Sequence, residues 1–583
     1  MNKTVHIDTD VLVIGGGLAG SKAALDVSDS GLKTVMVVKG LLGRSGCSIF
    51  AGNLSYFAPP ENMANSIDEK ELEQLIERNM IFLLKYTHYL GDQEYIKKAS
   101  IFRYYGFFPW MEKNGAYFLR DKNGEIINDL PLKTSFWVAK MGMSGTLIMD
   151  MARKLILGRD NISVLEETTA TTLLKNDDEV VGATALDYAH GIFYIIHAKV
   201  VILATGHSNH LSLRSTGTRD GSADGWVLAY NAGACLQDIE MQWYHASDVA
   251  YPATWMRLHL YPNPLPGTQQ RCRLYNRDGE LFFDGNWYKE NSVPYIMQLK
   301  HLARQVMAGK ARFDGDYYAS YTHVEPEVLD KYIYQTQFME KIGVDLKTEM
   351  MECGITWHMN VGGVRINTET METGIPGFLI AGAVGGHVTG GLENACFDGT
   401  LAAKTAILRA RSMSSVKPMI EEEAGKEKAR VYSYLRTDPR MGLLPRQVKK
   451  RIWTTIWNNH NYIKNQNSMQ EALNELQQIR DIDIPKMRLG SSSTAFNHDW
   501  LEAIDVSNMI TALELAIQFS MFRKESRGSF YREDYPKTDN DNWLVHVVGH
   551  CNEAGNLLLD VVPVDTPYAK PKEGIVDFFD VDY

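Results

Sequence analysis

Hydrophobic positions change their spacing several times along the chain, and each change predicts a different element. Thr9 to Ile14 is a short apolar, β-branched run, which predicts a strand. Gly15-Gly16-Gly17-Leu18-Ala19-Gly20 follows it directly. A helical pattern covers Ser21 to Ser30, and Thr34 to Val38 reads as a second strand. Asn161 to Ala204 is rich in Val, Ile, Thr and Tyr, broken by turn residues, and predicts several strands. Asp238 to Glu352 loses that rhythm and carries many aromatics, as an inserted second domain would. Strand-like runs return at Gly362 to Ile366 and Phe378 to Ala381, and a helix is predicted over Thr400 to Arg411. Ser412 to Lys428 shifts in composition and reads as a linker. Helical patterns then run from Ala429 to Arg527, and the last stretch is rich in Pro and Asp with little periodicity.

A chain of 583 residues is too long for one core and suggests about three or four domains. Its 45% hydrophobic and 22% charged residues are those of an ordinary globular protein. The net charge of −11 disfavours nucleic acid or an anionic membrane surface as the main partner. The first residues carry no apolar signal core, and no run approaches the roughly 18 apolar residues of a membrane helix. A cytoplasmic protein is expected, touching a membrane only through a partner. Cys47, Cys235, Cys272, Cys353, Cys396 and Cys551 are scattered, with no Cys-x-x-Cys pair. No iron–sulfur cluster or other metal is therefore expected in the chain itself.

The glycine run has a physical logic. Gly15 permits a tight turn after the strand, Gly17 lets a pyrophosphate approach the backbone, and Gly20 lets the helix lie close to the sheet. The helix start then offers N–H groups and a positive dipole end to phosphate. A lone glycine pattern is weak, but here strand and helix flank it in the required order. The acidic ribose ligand expected at the end of the second strand is missing; Val38-Lys39 stands there. Val200 to Gly206 is an apolar strand ending in Ala204-Thr205-Gly206, which would bring backbone close to a cofactor. Any buried strand ending at a glycine turn reads the same way. Phe378 to Ala383 ends in Gly382-Ala383, and the helix predicted to open at Gly399-Thr400-Leu401 would direct N–H groups at a bound cofactor.

These segments, in this order, resemble the fumarate reductase/succinate dehydrogenase flavoproteins, including L-aspartate oxidase and the adenylylsulfate reductase alpha subunit. Further matches are Asp224-Gly225, Leu274 to Glu280, Trp357 to Gly363 and the long block Glu525 to Pro536. The resemblance implies an α/β fold in which an FAD-binding Rossmann-like domain is interrupted by an α+β capping domain. A helical domain and a C-terminal segment follow. The corresponding boundaries are 1–237 and 356–411 for the FAD domain, 238–355 for the cap, 412–428 for the linker, 429–530 for the helical domain and 531–583 for the tail. Lys39 matches the Ser-Lys or Thr-Lys of the family. Gly40, Gly52 and Ala170 complete the implied cofactor contacts. Covalent relatives attach FAD through a histidine in an Arg-Ser-His-Thr segment; here Arg44-Ser45-Gly46-Cys47 puts glycine in that slot. FAD is therefore expected without a covalent bond.

Asp238 to Ser247 aligns on the stretch ending in the family's His-Pro-Thr, which puts His245 and Ser247 in substrate-facing positions. His358 falls on the second substrate histidine. A pair of hydrogen-bonded core histidines would give the same residues. The cations that hold two carboxylates are replaced: Thr268-Gln269-Gln270-Arg271-Cys272 meets the proton relay, and Val293 and Glu393 fall near the arginine slots. Fumarate needs paired cations and an acid, so another small anionic or conjugated substrate is expected. Arg257, His259, Arg271, Arg273 and His387 are candidates to bind it. With no second dinucleotide fingerprint, electrons are expected to pass through an iron–sulfur or similar partner subunit. The alternatives are sulfur chemistry of the adenylylsulfate reductase kind, a stand-alone oxidase or reductase of the L-aspartate oxidase kind, and a non-catalytic flavin-holding subunit.

Overall fold

The computed structural model describes residues 3–51, 54–55, 69–116, 135–136, 144–251, 272–285, 294–330, 336, 339–387, 391–418, 421–436, 442–552 and 554–581. Gly52, Arg257, His259, Arg271 and Val293 lie outside the described residues.

The predicted βαβ opening is β1 (Thr4–Ile14), α1 (Leu18–Asp29) and β2 (Thr34–Val37). Val11 to Ile14 are at most 3% exposed. A parallel strand covered on both faces has no polar side to show, which is why this run is continuous rather than alternating. Then come β3 (Ile162–Leu165), β4 (Thr168–Asn176), β5 (Glu179–Asp187) and β6 (Ile192–Leu203), ordered β3-β2-β1-β6-β5-β4. β6 runs parallel to β1 along most of its length. On its other edge the first residues pair antiparallel with β5, and Val201 to Leu203 pair parallel with Phe378–Ile380. The C-terminal ends of β1, β2 and β6 thus open onto one rim, where such sheets bind ligands.

Helix α2 (Asp224–Asn231) and the short β7 (Leu236–Gln237) lead into the cap. Its antiparallel sheet has β8 (Gln242–Tyr251), β9 (Arg273–Asn276), β10 (Leu281–Asp284), β11 (Tyr317–Ser320) and β12 (Met351–Asn360), in the order β8-β12-β11-β9-β10. The chain returns through β13 (Gly363–Val364) and β14 (Phe378–Ile380) to α3 (Leu392–Ser412). Helices α4 (Glu421–Ser433), α5 (Pro445–Asn459), α6 (Gln466–Gln478) and α7 (His498–Phe522) form the helical part. The tail contributes β15 (Val545–Cys551) and β16 (Leu557–Pro563), which join β13 and β7 in a four-stranded sheet.

Two expectations need correction. Helix α3 begins at Leu392, capped by Gly391 in a left-handed conformation, and not at Thr400. Thr400 is in its interior, its hydroxyl donating to the Cys396 carbonyl at 3.0 Å. Gly399 is there because α3 crosses α1 closely: a Cβ would come within 2.4 Å of the Ala19 carbonyl. Asn394 and Asp398, both buried, interrupt the apolar pattern of the first two turns and hide the helix start. The linker is also shorter than expected, since α4 starts at Glu421.

A buried ionic cluster joins cap, helical part and tail. Arg523, fully buried, donates from Nε to Glu240 at 2.7 Å, from Nη1 to Glu525 at 3.0 Å and from Nη2 to Asp238 at 3.1 Å. Arg527 binds Glu525 through Nε and Nη2 at 2.8 and 3.0 Å. Removing one partner of a buried cluster strands the opposite charges. Arg523→Ala should destabilise by about 3–5 kcal/mol, read from the denaturant midpoint. Lys98→Ala, which breaks an exposed pair with Glu369, should leave that midpoint where it is, because water and salt screen such a pair.

Candidate active site

The glycine turn is built as its spacing requires. A Cβ on Gly15 would lie 2.1 Å from the Ala204 carbonyl, and one on Gly20 2.1 Å from the Gly15 carbonyl. Helix α1 starts at Leu18 with Gly17 at its cap, no capping side chain and no acid in its first turn. Its positive end is therefore left for an anion. The Leu18 N–H donates to Ser48 Oγ at 3.1 Å, which ties the 44–50 segment to the helix start. In that segment Gly46 has φ +76°, and its N–H donates to Asp220 at 3.0 Å. Ser45 donates to the Leu41 carbonyl at 2.9 Å, and Arg44 pairs with Asp150 at the surface. A Cβ at Gly40 would strike Ser45.

The third wall is the turn after β6. Gly206 has φ +80°, and nothing occupies the space its Cβ would fill. Beside it Thr205 Oγ1 and His207 Nδ1 are buried with no hydrogen-bond partner among the described residues. Buried polar atoms are rarely left so unless a ligand completes them. Across the rim, the Gly382 N–H donates to Asp398 at 3.0 Å. Asp398 also accepts from Tyr95 OH at 2.6 Å and approaches His387 Nε2 at 3.3 Å. Ala383 follows in the same turn, with Ala19 against Gly382. An uncapped helix start, a glycine-lined turn and unsatisfied polar atoms on one rim fit a dinucleotide.

The Lys39 ammonium is engaged within the protein. It donates at 2.6 Å each to Ser222, Asp224 and Asp505. Burial opposes that charge, but the two carboxylates outweigh it and hold the ammonium above the ordinary lysine range. Burial raises the Asp505 carboxyl to about 6, with Lys39 opposing. Lys39 and Asp224 thus tie the rim to α7. Asp505 carries no sequence signal, because only the fold brings it near. Ala170 lies in β4, opposite Ala185.

The two candidate histidines meet. His245 is on β8 and His358 on the adjacent β12; their ring centroids are 4.2 Å apart, nearly perpendicular. The strand register explains the contact. Trp243 pairs with Met359 and Tyr244 with Trp357, so His358 is the extra residue of a β-bulge. A bulge re-aims the side chain it carries. His358 is also held by the loop after β6: Thr216 Oγ1 lies 2.7 Å from its Nδ1, and Asn209 donates to its carbonyl. His245 is buried, and burial lowers its pKa to about 3. It is a neutral hydrogen-bonding group and not a cation. Ser247 is buried two residues further along the same strand. Trp243, stacked on Tyr86 at 4.0 Å, shares the face of His245, whereas Tyr244 turns to Trp357 and Tyr462 on the other face. Strand residues alternate, so of this aromatic pair only Trp243 lies on the side of His245.

Glu393 is buried in the first turn of α3, with Arg103 3.9 Å away. Arg273 pairs with Asp284 at 2.8 Å. Asn209, Thr216, Ser48 and Asp398 carry no sequence signal; each is a lone polar residue in a loop or helix.

A cradle for a dinucleotide, opposed by a capping sheet with an imidazole pair, defines an FAD-dependent oxidoreductase. Residues 10–396 match the FAD binding domain family, and residues 449–574 match the fumarate reductase flavoprotein C-terminal family. The chain belongs to the fumarate reductase/succinate dehydrogenase flavoprotein family. It is 27% identical to a fumarate reductase (CoM/CoB) subunit from Methanothermobacter marburgensis, over 91% of this chain and 95% of that one. It is 24% identical to a succinate dehydrogenase flavoprotein subunit of Rickettsia conorii, over 96% of each. An E. coli quinol fumarate reductase structure shares the fold with a TM-score of 0.83 at 19% identity, covering 98% of this chain and 99% of that one. Adenylylsulfate reductase from Archaeoglobus fulgidus follows at 0.79 and 18%, covering 97% of each.

Burial also holds His207 near 4 and His210 and His88 near 3, the last with help from nearby Arg527. In the unfolded chain these imidazoles take up a proton at about pH 6.5. Below that pH the unfolded state binds more protons, so stability present above about 6.5 is lost as pH falls toward the folded values. Each histidine contributes at most about 1.4 kcal/mol per pH unit. The melting temperature should fall steadily between about pH 6.5 and pH 5, and His207→Gln should flatten that slope. An unchanged slope would show that His207 stays protonated when folded.

Proposed function

We propose that the chain is the catalytic flavoprotein subunit of an electron-transfer complex. It exchanges a hydride, or electrons through a flavin adduct, with a small anionic or conjugated substrate other than fumarate or succinate. Bound FAD supplies the two-electron chemistry. The observation that carries the reading is the His245–His358 contact, joined through Thr216 and Asn209 to the loop that starts at the Ala204-Thr205-Gly206 turn. A neutral His245 can donate to a substrate oxygen, and His358, oriented through Nδ1, brings a second imidazole to the same place. Glu393, a buried carboxylate near an expected arginine slot, disfavours a dicarboxylate. Gly46 has no side chain to bond the flavin, so the cofactor is held by contacts alone. Electrons are supplied by an iron–sulfur or similar partner subunit, because no cysteine cluster motif or second dinucleotide fingerprint is present in the sequence. The name of the Methanothermobacter relative, which is part of a fumarate reductase, sets the competing expectation.

With reduced benzyl viologen as donor, fumarate turnover should be at least about a thousandfold below that of an E. coli quinol fumarate reductase assayed alongside, as lost oxyanion and proton-transfer groups each cost roughly 10²–10⁴. A comparable rate would refute the substrate assignment. With the best acceptor from a screen of α,β-unsaturated acids, His245→Gln and His358→Gln should keep full flavin occupancy and near-normal melting. Each should lose at least about tenfold in turnover. Loss of flavin or of fold, with normal activity per bound flavin, would make the histidines structural.

A further inference from the structure

The opposite end of the central sheet carries a second cluster of imidazoles, away from the rim that holds the cofactor. His6 is on β1 and His197 on β6. In the parallel register His6 sits beside Ile195 and Asp8 beside His197. Residues two apart on a strand share a face, so both imidazoles emerge on one side of the sheet. Their ring centroids are 6.4 Å apart and the rings nearly perpendicular. Helix α4 reaches this end of the sheet, with Lys428 Nζ donating to Thr4 Oγ1 at 2.6 Å. The first residue of that helix is Glu421. One ring nitrogen of each histidine and one carboxylate oxygen of Glu421 lie within 4.8 Å of one another.

His197 shows the feature that separates this cluster from a chance surface grouping. Its Nδ1 is 3.2 Å from the Asp8 carboxylate, while its Nε2 is buried with no hydrogen-bond partner among the described residues. A carboxylate on one ring nitrogen and a bare second nitrogen is the arrangement of a metal-binding histidine with its orienting partner. Glu422 and Lys426 pair with each other, so Lys426 does not neutralise Glu421.

We propose that His6, His197 and Glu421 bind a divalent zinc ion, with water as the fourth ligand and Asp8 orienting His197. Two imidazoles and one carboxylate suit a borderline cation; magnesium and calcium prefer all-oxygen sets. Around zinc, donors at about 2.0–2.2 Å stand about 3.4 Å apart. The three groups must therefore close by up to about 1.4 Å from their present spacing of up to 4.8 Å. His6 and Glu421 are exposed and can change rotamer to do so. The ion would join two strands of the central sheet to the helix that follows the linker. Its effect is on the docking of that helix and not on turnover. Cysteine spacing does not bear on such a site, and no local motif joins residues so far apart in sequence.

The test uses the full-length, FAD-loaded, tag-free protein and zinc chloride in competition with a chromophoric chelator. The wild type should take up about one zinc per chain at this site, and at about a hundredfold excess over Kd its melting temperature should rise by about 2 °C. His6→Gln and His197→Gln should each abolish that uptake and the thermal shift. Asp8→Asn and Glu421→Gln, at exposed positions that leave folding intact, should weaken zinc at least about tenfold. His190→Gln, a surface histidine on Asp187, should change nothing. The proposal is overturned if wild-type protein takes up no zinc, if Asp8→Asn and Glu421→Gln bind as wild type does, or if His190→Gln loses the same uptake.

Discussion

Arg523 is a cation shut away from bulk solvent. Its guanidinium is surrounded by Asp238, Glu240 and Glu525, and its remaining N–H groups reach the carbonyls of Trp543 and Val545 at 3.3 and 3.1 Å. All five donors of an arginine fork are used only when their acceptors come from several elements at once. Here the acceptors come from the start of the cap, the end of the helical part and the tail. Asp238 accepts in addition from the Val547 N–H at 2.9 Å and from His546. The desolvation cost of this cluster is large, so it is no simple source of stability. What it does is fix positions: a displaced acceptor leaves a buried charge unpaired.

That constraint reaches the candidate active site along the chain. Asp238 and Glu240 immediately precede β8, so the cluster fixes where the strand bearing His245 begins. The β8–β12 register then sets His358 against it, and the bulge turns its ring inward. On the other side, Lys39 holds Asp224 and Asp505 together and ties the cofactor rim to α7. Both ionic clusters involve the helical part, one beside the start of β8 and the other beside the glycine-turn rim. The helical part therefore works as a clamp that sets the cap against the cofactor sheet, although the glycine turns and the imidazole pair of the candidate active site lie outside it.

Local features are legible in the sequence and long-range ones are not. The β1–α1–β2 opening can be read because its signal is contained within a few dozen residues: a buried apolar strand, three spaced glycines, an amphipathic helix. Gly46 can be read because an absent side chain needs no three-dimensional partner. The start of helix α3 is misread because Asn394 and Asp398 interrupt its apolar face, and only the structure shows Asp398 buried against Gly382, Tyr95 and His387. The tie from Lys39 to Asp505 cannot be read in advance because the two are distant in sequence. Thr216, which orients His358, has no signal at all. The positions of His245 and His358 are legible by resemblance, but their contact depends on a bulge that no pattern of hydrophobic and polar residues encodes.

The central claim is that FAD lies between the turn at Ala204-Thr205-Gly206 and the His245–His358 pair. A crystal structure of the FAD-loaded chain tests it most directly. The account predicts the pyrophosphate at the start of α1, no bond from Gly46 or its neighbours to the flavin, and the isoalloxazine facing the two imidazoles across a substrate-sized gap. An isoalloxazine bound elsewhere, with the histidine pair sealed from it by protein, would contradict the account.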